Sequence, residues 1–119
     1  MKAFDSFAWI EYFAGTHIGK QVAEILEREE LVATPATCIT EIKRRFKRAK
    51  QPWQQHLKFI EAKSRIIPLT KEMAEKAGDV DALHFADALI YATALELGAT
   101  VVTGDPHFKG LPHVQYIGP

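Results

Sequence analysis

Two apolar periods alternate along the chain. Short apolar or β-branched runs are followed by longer stretches with an apolar stripe at helical spacing. The clearest unit lies late in the chain. Ala86 to Leu97 is rich in Ala and Leu, with apolar residues at Leu89, Ile90, Ala92 and Leu97. Gly98 follows where a helix-terminating glycine belongs, because glycine takes the left-handed conformation without a Cβ clash. Thr100 to Thr103 is then β-branched and apolar enough for a buried strand. Earlier units repeat this grammar. Lys2 to Asp5 reads as a short strand, and Ser6 to Phe13 as a helix that Ser6 can cap. Gly15 breaks that helix, and His17 to Glu30 forms the next, with Ile18, Val22, Ile25 and Leu26 on one face. Leu31 to Thr34 is a strand that Pro35 ends. A helix from Ala36 or Thr37 to about Lys50 carries Ile39, Ile42 and Phe46. Pro52 opens another through Ala62. Arg65 to Pro68 is a strand, and Thr70 caps a short helix over Lys71 to Ala77. Gly78 to Leu83 connects to the late unit, and Val114 to Ile117 is a last edge strand.

Strands alternating with helices predict a parallel sheet of four to five strands, covered on both faces in an α/β/α arrangement. Ligands of such sheets bind beyond the carboxyl ends of the strands. Four acids fall there. Asp5 follows the first strand, and Glu41 lies early in the helix after the second. Asp87 is in the first turn of its helix, and Asp105 follows the Thr100–Thr103 strand. A helix start and a strand end share one edge of the sheet, so Asp87 and Asp105 are expected to meet.

Composition narrows the class. A length of 119 residues, 47% of them hydrophobic, suits one domain over 1–119. Cys38 is the only cysteine, which excludes an internal disulfide and a thiolate zinc site and suits a reducing cytoplasm. It reads as a small buried apolar residue. No apolar run reaches the roughly 18 residues of a membrane span, and no secretory leader is visible. The formal net charge is zero, so overall charge points to no nucleic acid.

Local charge says more. Two like charges about 4 Å apart cost roughly 4 kcal/mol at an effective dielectric near 20. Four converging carboxylates therefore call for protons or cations. Hard oxygen donors without His or Cys select Mg²⁺ or Mn²⁺. Such ions commonly act on phosphates, which makes hydrolysis of a phosphodiester the chemical expectation. Taken singly, any of these acids could instead be a helix-start charge favoured by the dipole. Lys43, Arg44, Arg45, Lys47, Arg48 and Lys50 form a basic run without an acid. Arg44, Arg45 and Arg48 follow Glu41 at helical spacing and could guide a phosphate backbone to it. The alternative is a solvated helix face.

Three segments carry a resemblance: FDSFAWIEYF, TPATCITEIKRRF and ADALIYATALELGATVVTGDPHF. In this order, and over nearly the whole chain, they resemble PIN-domain ribonucleases, specifically the VapC-type toxins of bacterial and archaeal toxin–antitoxin pairs. The resemblance implies a PIN-like fold with Asp5, Glu41, Asp87 and Asp105 as its acidic, metal-holding site. It implies an Mg²⁺- or Mn²⁺-dependent endoribonuclease leaving a 5′-phosphate and a 3′-hydroxyl. Ser6 and Thr103 fall where that family places hydroxyls beside the acids. A cognate antitoxin and a homodimer are the implied partners. Two departures stand out. Phe7 occupies a position where a small polar residue is common, and the stretch between Lys71 and Ala86 is short for the family.

His84 and His107 flank the acids as candidate bases or metal ligands, although the family pattern requires neither. Trp9, Tyr12 and Phe13 read as a mixture of core and partner surface. Two rival readings use the same fold: a non-cutting module that binds RNA or a protein, and a PIN nuclease of RNA processing without an antitoxin.

Overall fold

Five short strands form one parallel sheet in the computed structural model, which describes Met1–Pro119. They are β1 (Lys2–Phe4), β2 (Val32–Pro35), β3 (Ser64–Ile67), β4 (Thr100–Thr103) and β5 (Val114–Tyr116). Their spatial order is β3-β2-β1-β4-β5. Every pairing is parallel, with Phe4 opposite Val102 and Ala3 between Ala33 and Val101. Parallel pairing requires crossover connections, and these carry α-helices everywhere except between β4 and β5. The helices are α1 (Ser6–Ala14), α2 (His17–Arg28), α3 (Ala36–Arg48), α4 (Gln54–Lys63), α5 (Lys71–Ala77) and α6 (Phe85–Glu96). The expected three-layer α/β/α architecture is the observed one. No helix is long and apolar enough to cross a membrane.

Alternation along each strand divides the core in two. Ala3, Ala33 and Val101 point to a cluster built with Met73, Ala77, Ala88 and Ala92 of α5 and α6. Phe4, Val32 and Val102 point to one built with Trp9, Val22, Ile42 and Ile60 of α1 to α4. Trp9 is fully buried, and its indole N–H donates to Thr34 Oγ1 at 3.0 Å. Thr34 pairs with Ser64 Oγ at 2.8 Å, and Ser64 donates to the Ile60 carbonyl at 2.7 Å. This chain satisfies the polar end of a large buried ring while tying α1 to β2, β3 and α4. Trp9 is therefore core. Tyr12 and Phe13 are half-buried, stacked among Trp9, Phe46 and Phe59. Cys38 is buried, as expected.

The helix boundaries correct several expectations. Asp5 lies outside β1 and is the cap of α1, its Oδ1 accepting from the Ala8 N–H at 2.8 Å. Ser6 is the first helical residue rather than the cap. Both side chains are good caps, and the one further upstream takes the role. Leu31 is exposed and stays out of β2. Pro35 pairs with Ile67 as the last residue of β2 instead of following it. Pro52 stands two residues ahead of α4, with Trp53 at the cap position. Thr70 caps α5 as read from the sequence, accepting from Met73 N–H. Gly98 has the anticipated positive φ, 66°.

One glycine is required by packing. A Cβ on Gly19 would sit 2.0 Å from the Glu11 carbonyl oxygen, where α2 crosses the end of α1. Gly19→Ala forces backbone apart rather than a side chain, so we expect it to destabilise by about 1–3 kcal/mol. Urea denaturation measures this, and an unchanged midpoint would show that the helices do not approach so closely.

Candidate active site

At the carboxyl ends of the central strands lies an open cleft of about 420 Å³. Asp5, Glu41, Asp87 and Asp105 all line it, together with Ser6, Phe7, Ile10, Arg44, Arg45 and Arg48. Four elements bring the acids together. Asp5 follows β1, and Glu41 sits in the second turn of α3. Asp87 is in the first turn of α6. Asp105 follows β4 and caps a single 3-10 turn, Pro106–Phe108. Gly104, between β4 and Asp105, has Phe7 against it: a Cβ there would lie 2.3 Å from the ring. The missing side chain is what lets the large Phe7 fit beside the acids.

Hydroxyls hold the carboxylates in place. Ser6 Oγ donates to Glu41 Oε1 at 2.7 Å, a contact between residues 35 apart in sequence. Ser6, the first helical residue behind the Asp5 cap, is free to make that bond. Thr103 Oγ1 accepts the Asp105 backbone N–H at 3.0 Å, and its hydroxyl also favours the charged form of Asp5. Asp105 Oδ1 accepts from the His107 N–H at 3.0 Å and lies 2.8 Å from His107 Nδ1. The ring of His84 meets that of His107 edge to face, 5.1 Å between centroids.

The electrostatics around Asp5 and Asp87 are those of buried, mutually repelling carboxylates. Burial pushes the Asp5 carboxyl up to about 7. The Thr103 hydroxyl and the Ala8 N–H pull it down, whereas the charges of Asp87 and Asp105 raise it further. Asp87 is also raised, first by burial and then by Asp105 and Glu41; His107 and His84 oppose this. Beneath the acids, burial and then the charges of Asp5 and Glu41 hold the Cys38 thiol well above its ordinary range. It stays protonated and is no nucleophile.

Hard oxygen donors crowded on one edge, with one of them too destabilised to ionise readily, fit a divalent cation. Asp87, Asp105 and His107 each offer a ligand atom within 4.8 Å of the others. On the far wall the basic run divides. Arg44, Arg45 and Arg48 line the cleft, while Lys43 places its ammonium 4.1 Å from the centre of the Trp53 ring. Sequence reasoning named the acids, hydroxyls and arginines. The 3-10 turn, which brings His107 back onto Asp105, is too short to leave a periodic signal.

A parallel α/β/α fold with an acid-lined cleft at its strand ends defines a class of proteins suited to metal-dependent phosphate chemistry. The chain belongs to the PIN domain family, which matches residues 2–114. By sequence alone, no curated protein matches it. Among solved structures it is similar to a toxin–antitoxin complex from Klebsiella pneumoniae, with a TM-score of 0.82, 24% identity and 98% of each chain covered. It is similar to a VapBC complex from Rickettsia felis bound to a promoter DNA fragment, at 0.77 and 16% identity over 97% of each chain. A Mycobacterium tuberculosis toxin described as cleaving the sarcin–ricin loop matches at 0.76 and 16% identity, over 94% of this chain and 95% of the other.

Proposed function

We propose that this protein is a metal-dependent endoribonuclease, and that it acts as the toxin of a type II toxin–antitoxin pair. One observation carries the nuclease reading: four acids and three arginines share a single cleft. Acids alone would suit many cation sites. Arginines facing them add the counter-charge for a phosphate backbone, whose planar fork contacts are well suited to phosphate oxygens. Structural relatives bearing toxin–antitoxin names support the toxin reading over general RNA processing. The family resemblance adds a cognate antitoxin that covers the cleft and a homodimer, and the single cysteine suits a reducing cytoplasm.

Residues of the chain divide the work. Asp5, Asp87 and Asp105 are the proposed ligands of Mg²⁺ or Mn²⁺, with Glu41 completing the set directly or through water. When bound, the cation supplies an activated water and charge stabilisation at the scissile phosphate. Ser6 holds Glu41 towards the cleft, and Thr103 holds the loop that carries Asp105. Arg44, Arg45 and Arg48 draw the RNA backbone in and keep one phosphate beside the acids. Hydrolysis leaves a 5′-phosphate and a 3′-hydroxyl, as the family resemblance implies.

Replacing Arg44, Arg45 and Arg48 together with Gln should weaken RNA binding and flatten its salt dependence. Each lost phosphate contact reduces the single-strand slope by about 0.7. Unchanged affinity and slope would return these side chains to the solvated face. For the toxin role the test is in cells. Induction should arrest growth and yield RNAs cut at defined positions, and Asp87→Asn should do neither. Growth arrest by Asp87→Asn equal to that of the wild type would refute nuclease action as its cause.

A further inference from the structure

We infer that His107 is a nitrogen ligand of the cation, giving this site a mixed nitrogen–oxygen donor set rather than carboxylates alone. The inference rests on the reading of the cleft as a metal site and concerns which atoms complete it. A ring nitrogen of His107, an Asp105 oxygen and an Asp87 oxygen lie within 4.8 Å of one another. Around one cation at about 2.1 Å, adjacent ligand atoms are ~3.0 Å apart and opposite ones ~4.2 Å. Without a cation, His107 Nδ1 and Asp105 Oδ1 share a hydrogen bond of 2.8 Å; that separation is close to the adjacent spacing, and a cation would take the place of the shared proton. Asp87 lies within reach of the same cation.

The ring is not needed to hold its own loop. The His107 backbone N–H already satisfies Asp105 Oδ1 at 3.0 Å, and the Phe108 N–H closes the turn on the Asp105 carbonyl at 3.1 Å. Pro106 opens the 3-10 turn with its fixed φ, so the backbone sets where the His107 side chain leaves the turn. His84 packs against the ring edge to face and limits its rotation. His107 remains exposed, with 58% of its side chain accessible, so replacing it leaves the core untouched.

A nitrogen donor alters metal choice. Carboxylate and water suit both Mg²⁺ and Mn²⁺, but Mg²⁺ demands near-ideal geometry and gives up its waters reluctantly, so it gains less from an added imidazole. Mn²⁺ should therefore be preferred over Mg²⁺ more strongly by the wild type than by a variant without the ring. Removing even an outer partner of a metal ligand costs on the order of tenfold in affinity. His107→Gln should lower Mn²⁺ affinity by at least that, and Mg²⁺ affinity by less.

Pulsed electron paramagnetic resonance of the Mn²⁺-loaded protein reads the ligand directly. The wild type should show coupling to a coordinated ¹⁴N nucleus. That coupling should vanish in His107→Gln and persist in His84→Gln. Bound Mn²⁺ without nitrogen coupling, or coupling that survives His107→Gln, would overturn the assignment while leaving the metal-site reading intact. Failure of the wild type to bind Mn²⁺ at all would overturn both.

Discussion

Asp87→Asn and Asp105→Asn should each reduce RNA cleavage by on the order of a thousandfold or more, with the fold retained. Residues that act as one unit lose nearly everything when any member goes. Asn keeps the shape of Asp but removes the charge that holds the cation. The same substitution suits Asp5, because Asn can still accept the Ala8 N–H and cap α1. Asp5→Ala would remove the charge and the cap together, confusing catalysis with stability. Cleavage rates under single-turnover conditions provide the measurement. An acid whose Asn variant cuts at a near wild-type rate does not belong to the site.

The second large effect is on stability without metal. Asp5 has a folded-state value of about 7, raised chiefly by burial, against about 3.9 in an unfolded chain. Between those values the folded protein binds a proton that the unfolded chain does not. Stability therefore falls as pH rises through this window, and the loss is complete above the folded value. A difference of about three units corresponds to roughly 4 kcal/mol. In chelator, Asp5→Asn and wild type should have similar stability near pH 4. The variant should then gain progressively, reaching roughly 15 °C in melting temperature by pH 8. Asp87→Asn should shift in the same direction, because Asp87 is also raised by burial and neighbouring acids. Adding Mg²⁺ or Mn²⁺ should stabilise the wild type by about 2.7 kcal/mol at a hundredfold excess over its dissociation constant. The Asn variants should gain far less. Parallel melts of wild type and variant at every pH would mean that Asp5 is not strained by burial.

Much of this site was legible because topology, rather than side-chain detail, places it. A strand end and a helix start share an edge in any parallel layer, so Asp5, Asp87 and Asp105 could be aligned from their neighbours alone. Helical spacing likewise put Arg44, Arg45 and Arg48 on the side of Glu41, but it could not say whether that side faces a cleft or water. The choice between Asp5 and Ser6 as the cap of α1 was not legible either. It depends on the backbone, which is extended at Asp5 and already helical at Ser6. His107 was visible beside Asp105, yet its return onto the carboxylate depends on one 3-10 turn. Trp9 could be core or partner surface by composition, and its buried bond to Thr34 decides for core. Phe7 beside Gly104 is a pairing across the sheet edge that no local pattern announces.

The most direct test of one metal-dependent nuclease site is cleavage of a generic RNA by purified protein, with Mg²⁺ or Mn²⁺ and with chelator, beside Asp87→Asn. The wild type should cut only with metal, leaving 5′-phosphate ends, and Asp87→Asn should not cut under either condition. Cutting in chelator, or equal cutting by Asp87→Asn, would contradict it.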